Sequence, residues 1–314
     1  MGPKLSIAQR VDEHTHVPKE KLVHKPPFPD AIKIELTSYC NLKCSYCASR
    51  FKLRPQGEID EQFLKDILMQ AKTVGVKEIG MFLLGESFLV KKLAEYIRYA
   101  KEEAGIEYIF LTTNGTLCTL DRLVPVIDAG LDSLKFSINA GSPERYAEMH
   151  GVDCFDTVVE NIMNMHEYME KHGLKKPRTC VSSIFDEDHK DELESLQDMI
   201  MPSVDEFYYL PLYNQAGHVS GKKQSMFVGN PGRYENMVPP VPCWGLFNGA
   251  KISWDGWLTA CYFDHDTRFK IADLKRLSLI DAWHHDKFVD LRRRHLENSG
   301  LSQSLCGKCL GLAS

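Results

Sequence analysis

The sequence lacks the features that mark a membrane protein, a secreted protein or a nucleic-acid-binding protein. No apolar run approaches the roughly 20 residues that a membrane-spanning helix needs, and residues 1–30 contain no apolar signal-peptide core. The 38 basic side chains are outnumbered by 43 acidic ones, so there is no broad basic surface for a phosphate backbone. We therefore predict a cytoplasmic protein that has neither a membrane nor a nucleic acid as its partner.

Repeats and low-complexity tracts are absent as well, and the bulk composition is ordinary. Hydrophobic residues make up 43% of the chain and charged residues 26%, which is typical of a globular protein. The length of 314 residues allows one large domain or two modest ones. Against this background the ten cysteines stand out. In a reducing compartment, cysteines more often bind metals or do chemistry than form disulfides.

Strand-like segments alternate with helical ones between residues 31 and 212. This alternation predicts parallel β-α units with right-handed crossovers, and hence an α/β fold. Six units are fewer than the eight of a closed barrel, so both a partial barrel and a doubly wound sheet fit, each with its working edge at the carboxyl ends of the strands. The predicted strands cover residues 32–36, 78–84, 108–113, 133–139, 179–184 and 204–212.

The pattern divides the chain into four parts. An N-terminal extension covers residues 1–30, the β-α units cover 31–212, an irregular linker rich in Gly, Pro and Asn covers 213–242, and a C-terminal domain covers 243–314. Within the last part, Asp255-Gly256 between two alternating segments predicts a β-hairpin, and residues 279–296 predict one amphipathic helix. The arginine run 292–294 on that helix is interpreted as a solvated face.

A first cysteine cluster follows the first predicted strand. Cys40, Cys44 and Cys47 have the spacing C-x3-C-x2-C, and no fourth Cys or His lies in the loop. A structural zinc ion takes four ligands, whereas three thiolates can hold a [4Fe–4S] cube and leave one iron open. The spacing therefore favours a cluster that binds a ligand. The alternative is a zinc loop completed by a distant residue.

This motif, with Tyr46 before the last cysteine, resembles that of the radical S-adenosylmethionine (SAM) superfamily. The resemblance implies a partial (β/α)6 barrel and SAM chelated to the open iron. It further implies reductive cleavage of SAM to a 5′-deoxyadenosyl radical that abstracts a substrate hydrogen, with electrons from a flavodoxin- or ferredoxin-type reductant. Gly85-Glu86 occupies the place of the family's Gly-Gly-Glu motif, with Leu84 instead of the first glycine. The SAM-binding residues that the resemblance implies are Tyr46, Gly85, Glu86, Asn114, Ser137 and Asn139.

A second cluster consists of Cys243, Cys261, Cys306 and Cys309. Four thiolates saturate either zinc or an iron–sulfur cluster, so the spacing alone leaves both open. The hairpin, the helix and the final C-x2-C resemble the SPASM/Twitch extension of radical SAM enzymes, which implies one auxiliary [4Fe–4S] cluster on these cysteines. The four-cysteine form is similar to that of the 2-deoxy-scyllo-inosamine dehydrogenases, which oxidise an aminocyclitol alcohol.

We accordingly predict a radical SAM oxidoreductase that converts a hydroxyl of a small polyol, sugar or aminocyclitol to a ketone, with the auxiliary cluster accepting one electron. The alternatives are a redox-neutral epimerase or dehydratase, a SPASM-type peptide maturase, and a non-catalytic zinc or electron-transfer protein. Only about thirty residues precede the first strand, which disfavours the peptide-recognition domain of a maturase. Candidate substrate-binding or basic residues are Arg178, Tyr213, Asn214, Gln215 and His218, and the candidate core thiols are Cys118, Cys154 and Cys180.

Overall fold

A nine-stranded sheet forms the centre of the protein, in the order β11-β10-β9-β1-β2-β3-β4-β5-β6. The computed structural model describes residues 5–219, 226–227 and 242–312. The strands of the sheet are β1 Ala31–Ile34, β2 Glu78–Gly80, β3 Tyr108–Thr113, β4 Ser133–Ser137, β5 Arg178–Ile184, β6 Glu206–Leu210, β9 Ala250–Ile252, β10 Trp257–Thr259 and β11 Lys270–Asp273. Two further short strands, β7 Leu212–Tyr213 and β8 Met226–Phe227, pair with each other.

Helices connect and cover the parallel strands. They are α1 Ile7–Thr15, α2 Glu61–Thr73, α3 Leu93–Glu102, α4 Leu120–Asp128, α5 Pro143–His150, α6 Phe155–Lys171, α7 Lys190–Ile200, α8 Leu279–Trp283 and α9 Asp286–Glu297. No helix in the described ranges is long and apolar enough to cross a membrane.

Strands β1 to β6 run parallel in sequence order, as the alternating pattern predicts. Along β3 the side chains alternate between partly and fully buried, because successive residues point to opposite faces of the sheet. The fully buried Ile109 and Leu111 belong to one core with helix residues such as Ile97, whereas Tyr108 and Phe110 line an interior cavity. The predicted partial barrel is confirmed.

The C-terminal hairpin continues the barrel sheet. Strand β9 pairs in parallel with β1, and β10 runs antiparallel to both β9 and β11. Gly256 has a φ of 93°, a left-handed conformation that glycine adopts without a steric penalty, so the predicted Asp255-Gly256 turn is confirmed. The proposed division at residues 213–242 stays a prediction, since residues 220–225 and 228–241 of that linker lie outside the described ranges.

Two expectations for the last helix are wrong. The segment forms two helices, because the chain leaves helical geometry at His285, whose ring accepts a hydrogen bond from Lys287 N (3.2 Å) at the start of α9. Arg292 is fully buried, not solvated: its Nε donates to Leu246 O and its Nη1 to Trp283 O, each at 2.8 Å. The arginine run is therefore divided between one core side chain and two surface ones, as the period of a helix requires.

The N-terminal extension contains a helix that the sequence pattern did not predict. Ser6 and Gln9 form a capping box at the start of α1. The carboxylate of Glu206, at the start of β6, accepts hydrogen bonds from Ile7 N and Ala8 N at 2.7 and 3.0 Å, and Arg10 forms an ion pair with Glu78 of β2. These contacts hold α1 against the end of the barrel that lies opposite the first cysteine cluster.

Candidate active site

The first cysteine cluster lies in the loop that follows β1, at the carboxyl edge of the sheet. Glu86 N donates to Tyr39 O (2.8 Å) and Ser49 Oγ donates to Leu84 O (3.1 Å), which joins this loop to the turn after β2. At Gly85 the two segments touch so closely that a Cβ atom would overlap the carbonyl oxygens of Thr37 and Tyr39. Close backbone approach therefore explains the glycine at this position.

Glu86 is buried and joins the ends of two strands. Its Oε1 accepts hydrogen bonds from Phe88 N (3.0 Å) and Thr113 Oγ1 (2.9 Å), and its Oε2 accepts one from Asn114 N (2.8 Å). Burial raises the pKa of this carboxyl, and the three donors oppose that rise. A carboxylate has roughly four acceptor positions, so one remains for the methionine ammonium that the resemblance implies.

A residue that the sequence pattern did not indicate, His150, connects the cysteine loop to β4. Asn139 N donates to its Nε2 (3.3 Å), which places the ring hydrogen on Nδ1. That Nδ1 lies 3.4 Å from both Cys44 Sγ and Tyr46 OH. A histidine at the end of a helix has no sequence signal for this role, because the chain brings α5 back to the loop only in the folded state.

The residues predicted to bind SAM surround the same loop. Asn139 Nδ2 donates to Tyr46 OH (2.5 Å) and lies 3.4 Å from Ser137 Oγ, so the end of β4 meets the cysteine loop. At the end of β3, Asn114 Nδ2 donates to Asn41 Oδ1 (2.9 Å) beside Cys40. The structure thus brings the six positions together, and their contacts with SAM stay predictions.

The chemistry of the first loop fits a bound cluster. Burial raises the pKa of Cys40 to about 11 and that of Cys44 to about 12, so both thiols are protonated at neutral pH in the absence of a metal. The positive charge of bound iron reverses this preference, because it stabilises the thiolate. Three soft thiolate donors without a fourth side-chain ligand match a cube with one open iron.

The four cysteines of the second cluster line one closed cavity, together with His295. Four thiolates around one cavity can bind the four irons of a [4Fe–4S] cube, one cysteine to each iron.

His295 supports the same interpretation. Its Nδ1 accepts a hydrogen bond from Cys243 N (3.3 Å), so its ring hydrogen is on Nε2, and this buried Nε2 has no hydrogen-bond partner among the described residues. An unsatisfied buried N–H group is costly in a native protein. A cluster sulfur in the cavity would supply the acceptor.

A second and larger cavity, of about 380 Å³, occupies the barrel interior. Tyr46 and Cys47 of the first cysteine loop border one part of it, Trp244 and Tyr262 of the C-terminal segment border another, and α1 closes the far end. The volume lies in the range of small-molecule sites. Tyr262 also borders the cavity of the second cysteine cluster, so one ring separates the two spaces.

The predicted substrate residues divide into three groups. Tyr213 and Gln215 line the barrel cavity. Asn214 Nδ2 instead donates to Cys309 O (2.9 Å), and His218 Nε2 lies 3.1 Å from Asp266 Oδ2; neither borders the cavity. Arg178 begins β5, at the opposite edge of the sheet from the cysteine loop, where its Nε donates to Glu206 Oε1 (2.5 Å). This contact joins the starts of β5 and β6. The structure therefore does not place Arg178 in the site.

An α/β barrel with a three-cysteine loop at its carboxyl edge and a four-cysteine module beside it defines an iron–sulfur enzyme. Residues 34–198 match the family model of the radical SAM superfamily, and residues 243–310 match that of the SPASM iron–sulfur cluster-binding domain. The chain belongs to the radical SAM superfamily. The two matches imply SAM and two [4Fe–4S] clusters as its cofactors.

Curated relatives match less than half of the chain. A GTP 3′,8-cyclase of Chlorobaculum tepidum is 32% identical over 130 residues, which are 41% of this chain and 38% of that protein. A probable GTP 3′,8-cyclase of Saccharolobus solfataricus is 35% identical over 136 residues, which are 42% of each chain. The chain thus spans less than half the length of the curated relatives that it matches.

Solved structures match most of the chain. The crystal structure of BtrN in complex with AdoMet and 2-DOIA has a TM-score of 0.60 at 19% identity, over 90% of this chain and 92% of that one. That of Streptococcus suis SuiB bound to the precursor peptide SuiA has a TM-score of 0.67 at 16% identity, over 90% of this chain and 68% of that one. At these identities the matches show the fold, and BtrN is a 2-deoxy-scyllo-inosamine dehydrogenase, the kind of enzyme that the sequence resembles.

Proposed function

We propose that this protein is a radical SAM dehydrogenase that oxidises a hydroxyl of a small polyol or sugar to a ketone. We further propose that Cys40, Cys44 and Cys47 hold the SAM-binding cluster. The four cysteines of the C-terminal segment would hold the auxiliary cluster. The barrel cavity would hold the substrate.

One observation carries the proposal: a single cavity reaches the first cysteine loop, and only the ring of Tyr262 separates it from the cavity that the four C-terminal cysteines line. Cys47 lies on its wall at the SAM side, and Tyr262, the residue after Cys261, lies on its wall at the auxiliary side. Oxidation of an alcohol to a ketone removes one hydrogen atom from carbon, one proton from oxygen and one electron. When bound, SAM with the first cluster supplies the hydrogen-atom acceptor, and the auxiliary cluster supplies a one-electron acceptor on the other side of Tyr262.

The side chains of the cavity would position the substrate. Tyr213 and Gln215 present a hydroxyl and an amide that can orient the reacting hydroxyl, whose proton passes to a base in the cavity wall or to solvent. The apolar rings of Phe82, Phe110 and Phe263 exclude water from the same space. Four cysteines around the auxiliary site leave no iron open for direct binding of the substrate.

A second candidate is the cyclisation of a nucleoside triphosphate. It is favoured by the curated relatives named GTP 3′,8-cyclase, whose matched region covers 41% and 42% of this chain. The two candidates differ in their products, because cyclisation forms a new ring without net loss of two electrons.

The test is product analysis under anaerobic conditions. The reconstituted protein is incubated with SAM, a chemical reductant and, separately, a panel of polyols, sugars and aminocyclitols or GTP. The dehydrogenase proposal expects a ketone together with about one 5′-deoxyadenosine per product. An isomer, a dehydrated product or a cyclised nucleotide would overturn the dehydrogenase assignment and leave the family unaffected.

Cysteine variants separate the two clusters in the same assay. Replacement of Cys40, Cys44 and Cys47 by Ala should abolish SAM cleavage. Replacement of Cys306 and Cys309 by Ala should spare some SAM cleavage and stop ketone formation. Ketone formation by the second variant at the wild-type rate would exclude the auxiliary cluster as the electron acceptor.

A further inference from the structure

Two lysines line the cavity in the interior of the barrel. Lys33 of β1 and Lys135 of β4 both line it. Lys33 lies deep in the protein, and the side chain keeps partial exposure because it borders this space. Its Nζ lies 4.9 Å from the ring centroid of Phe82 and 4.6 Å from that of Tyr262, positions in which an aromatic face stabilises a cation.

Lys33 has no countercharge among the described residues, where its Nζ forms neither an ion pair with a carboxylate nor a hydrogen bond with an acceptor. Glu78, an acid on the wall of this cavity, is already paired with Arg10, and His14 is kept neutral because burial lowers its pKa to about 3. A buried ammonium without a partner is costly unless a ligand supplies the countercharge.

The electrostatics of Lys33 show which charge a ligand at this position would carry. Burial, followed by repulsion from Lys135 and Lys251, lowers the pKa of Lys33 to about 7. An anion in the cavity would offset these effects and favour the protonated form of Lys33. A cationic amine would add to the repulsion, so the cavity disfavours the amino group of an aminocyclitol.

We infer that the barrel cavity binds an anionic substrate, whose carboxylate or phosphate group is held by Lys33 and Lys135. This inference rests on the proposed function in one respect, the location of the substrate in the barrel cavity. It adds the chemical class of that substrate. It narrows the proposed polyol to one that carries a negative charge, such as a uronate or a sugar phosphate.

The test uses four probes of one scaffold on the anaerobically reconstituted protein, with binding measured by calorimetry at millimolar concentrations. Glucose 6-phosphate and glucuronate should bind, with the stronger of the two identifying phosphate or carboxylate as the preferred group. Glucose and glucosamine should bind at least about tenfold more weakly, since a hydrogen bond to a charged group contributes roughly a factor of ten or more. Equal binding of all four probes, or no binding by either anion, would overturn the inference.

Variants of Lys33 test the same inference, and a conservative variant and a control variant separate an effect on binding from an effect on folding. Lys33→Met should lose about tenfold or more in affinity for the anionic probe, whereas Lys33→Arg should keep most of it because the positive charge remains. Lys91→Met, at an exposed position before α3, is the matched control and should bind as the wild type does. Wild-type affinity in Lys33→Met would refute the assignment. Binding of the probe is separate from ketone formation, so failure of the dehydrogenase proposal would not alter this result.

Discussion

Glu86 Oε2 accepts a hydrogen bond from the backbone N–H of Asn114 at 2.8 Å. The carboxylate thereby fixes the end of β3 against the turn after β2, which itself contacts the first cysteine loop. Through its side chain and its backbone N–H, Glu86 thus connects three segments at the carboxyl edge of the sheet. Its position matters for the fold of the site as much as for a contact with SAM.

Replacement of Glu86 by Gln should therefore destabilise the protein and weaken SAM binding. An amide has one oxygen, so at least one of the three N–H and O–H donors would face an NH2 group and lose its acceptor. The expected cost is about 1–3 kcal/mol in the free energy of unfolding, measured by chemical denaturation. Glu95→Gln on the exposed face of α3 is the matched control, and an equal effect of both substitutions would contradict this account.

The turn after β2 offers a matched pair of substitutions. Gly85→Ala should prevent assembly of the first cluster, because a methyl group would overlap the carbonyl oxygens of Thr37 and Tyr39. Leu84→Gly, which restores the family's Gly-Gly-Glu motif, should leave the cluster intact. The measurement is the iron content after reconstitution and the yield of cleaved SAM. If Gly85→Ala retained both, close backbone approach would not be the reason for this glycine.

The sequence predicts the barrel and the cysteine clusters because both depend on short-range patterns. Alternation of side chains along a strand and the spacing of thiols within a loop can be recognised without the fold. His150, Lys33 and α1 could not be found in this way. Each acquires its role from contacts with segments that are distant along the chain, such as Asn139 for His150 and Tyr262 for Lys33.

The three scattered cysteines should not be needed for iron binding, in contrast to the cysteines of the two clusters. Cys118 and Cys180 are buried, and Cys118 Sγ lies 3.6 Å from Thr113 Oγ1. Their replacement together with Cys154 by Ala should leave about eight irons per chain, the content of two cubes. The expected change is a loss of stability of about 1 kcal/mol for each buried sulfur removed. A loss of four irons in an iron assay of the variant would instead assign one of these thiols to a cluster.

The hydrogen bond from His150 to Cys44 is testable by electrochemistry on the reconstituted protein. Nδ1 of this ring lies 3.4 Å from Cys44 Sγ, and a donor to a ligating sulfur stabilises the reduced, more negative cluster. His150→Phe removes the donor and keeps a ring that can stack on Tyr146, whose centroid lies 4.1 Å away. We expect a more negative midpoint potential and about a tenfold loss in SAM cleavage. An unchanged potential, followed by electron paramagnetic resonance, would contradict the hydrogen bond.

Buried His265 should make the stability of the protein depend on pH. Burial is the largest cause that lowers its pKa from 6.5 to about 3, so the folded protein holds the ring neutral while the unfolded chain takes up a proton. Its contribution to stability is therefore fully present above pH 6.5 and is lost as the pH falls toward 3. The measurement compares the free energies of unfolding of the wild type and His265→Gln. The stability advantage of the wild type should fall by about 1.4 kcal/mol per pH unit between pH 6 and pH 5. A difference that does not change with pH in denaturation experiments would show that the ring is charged in the folded state.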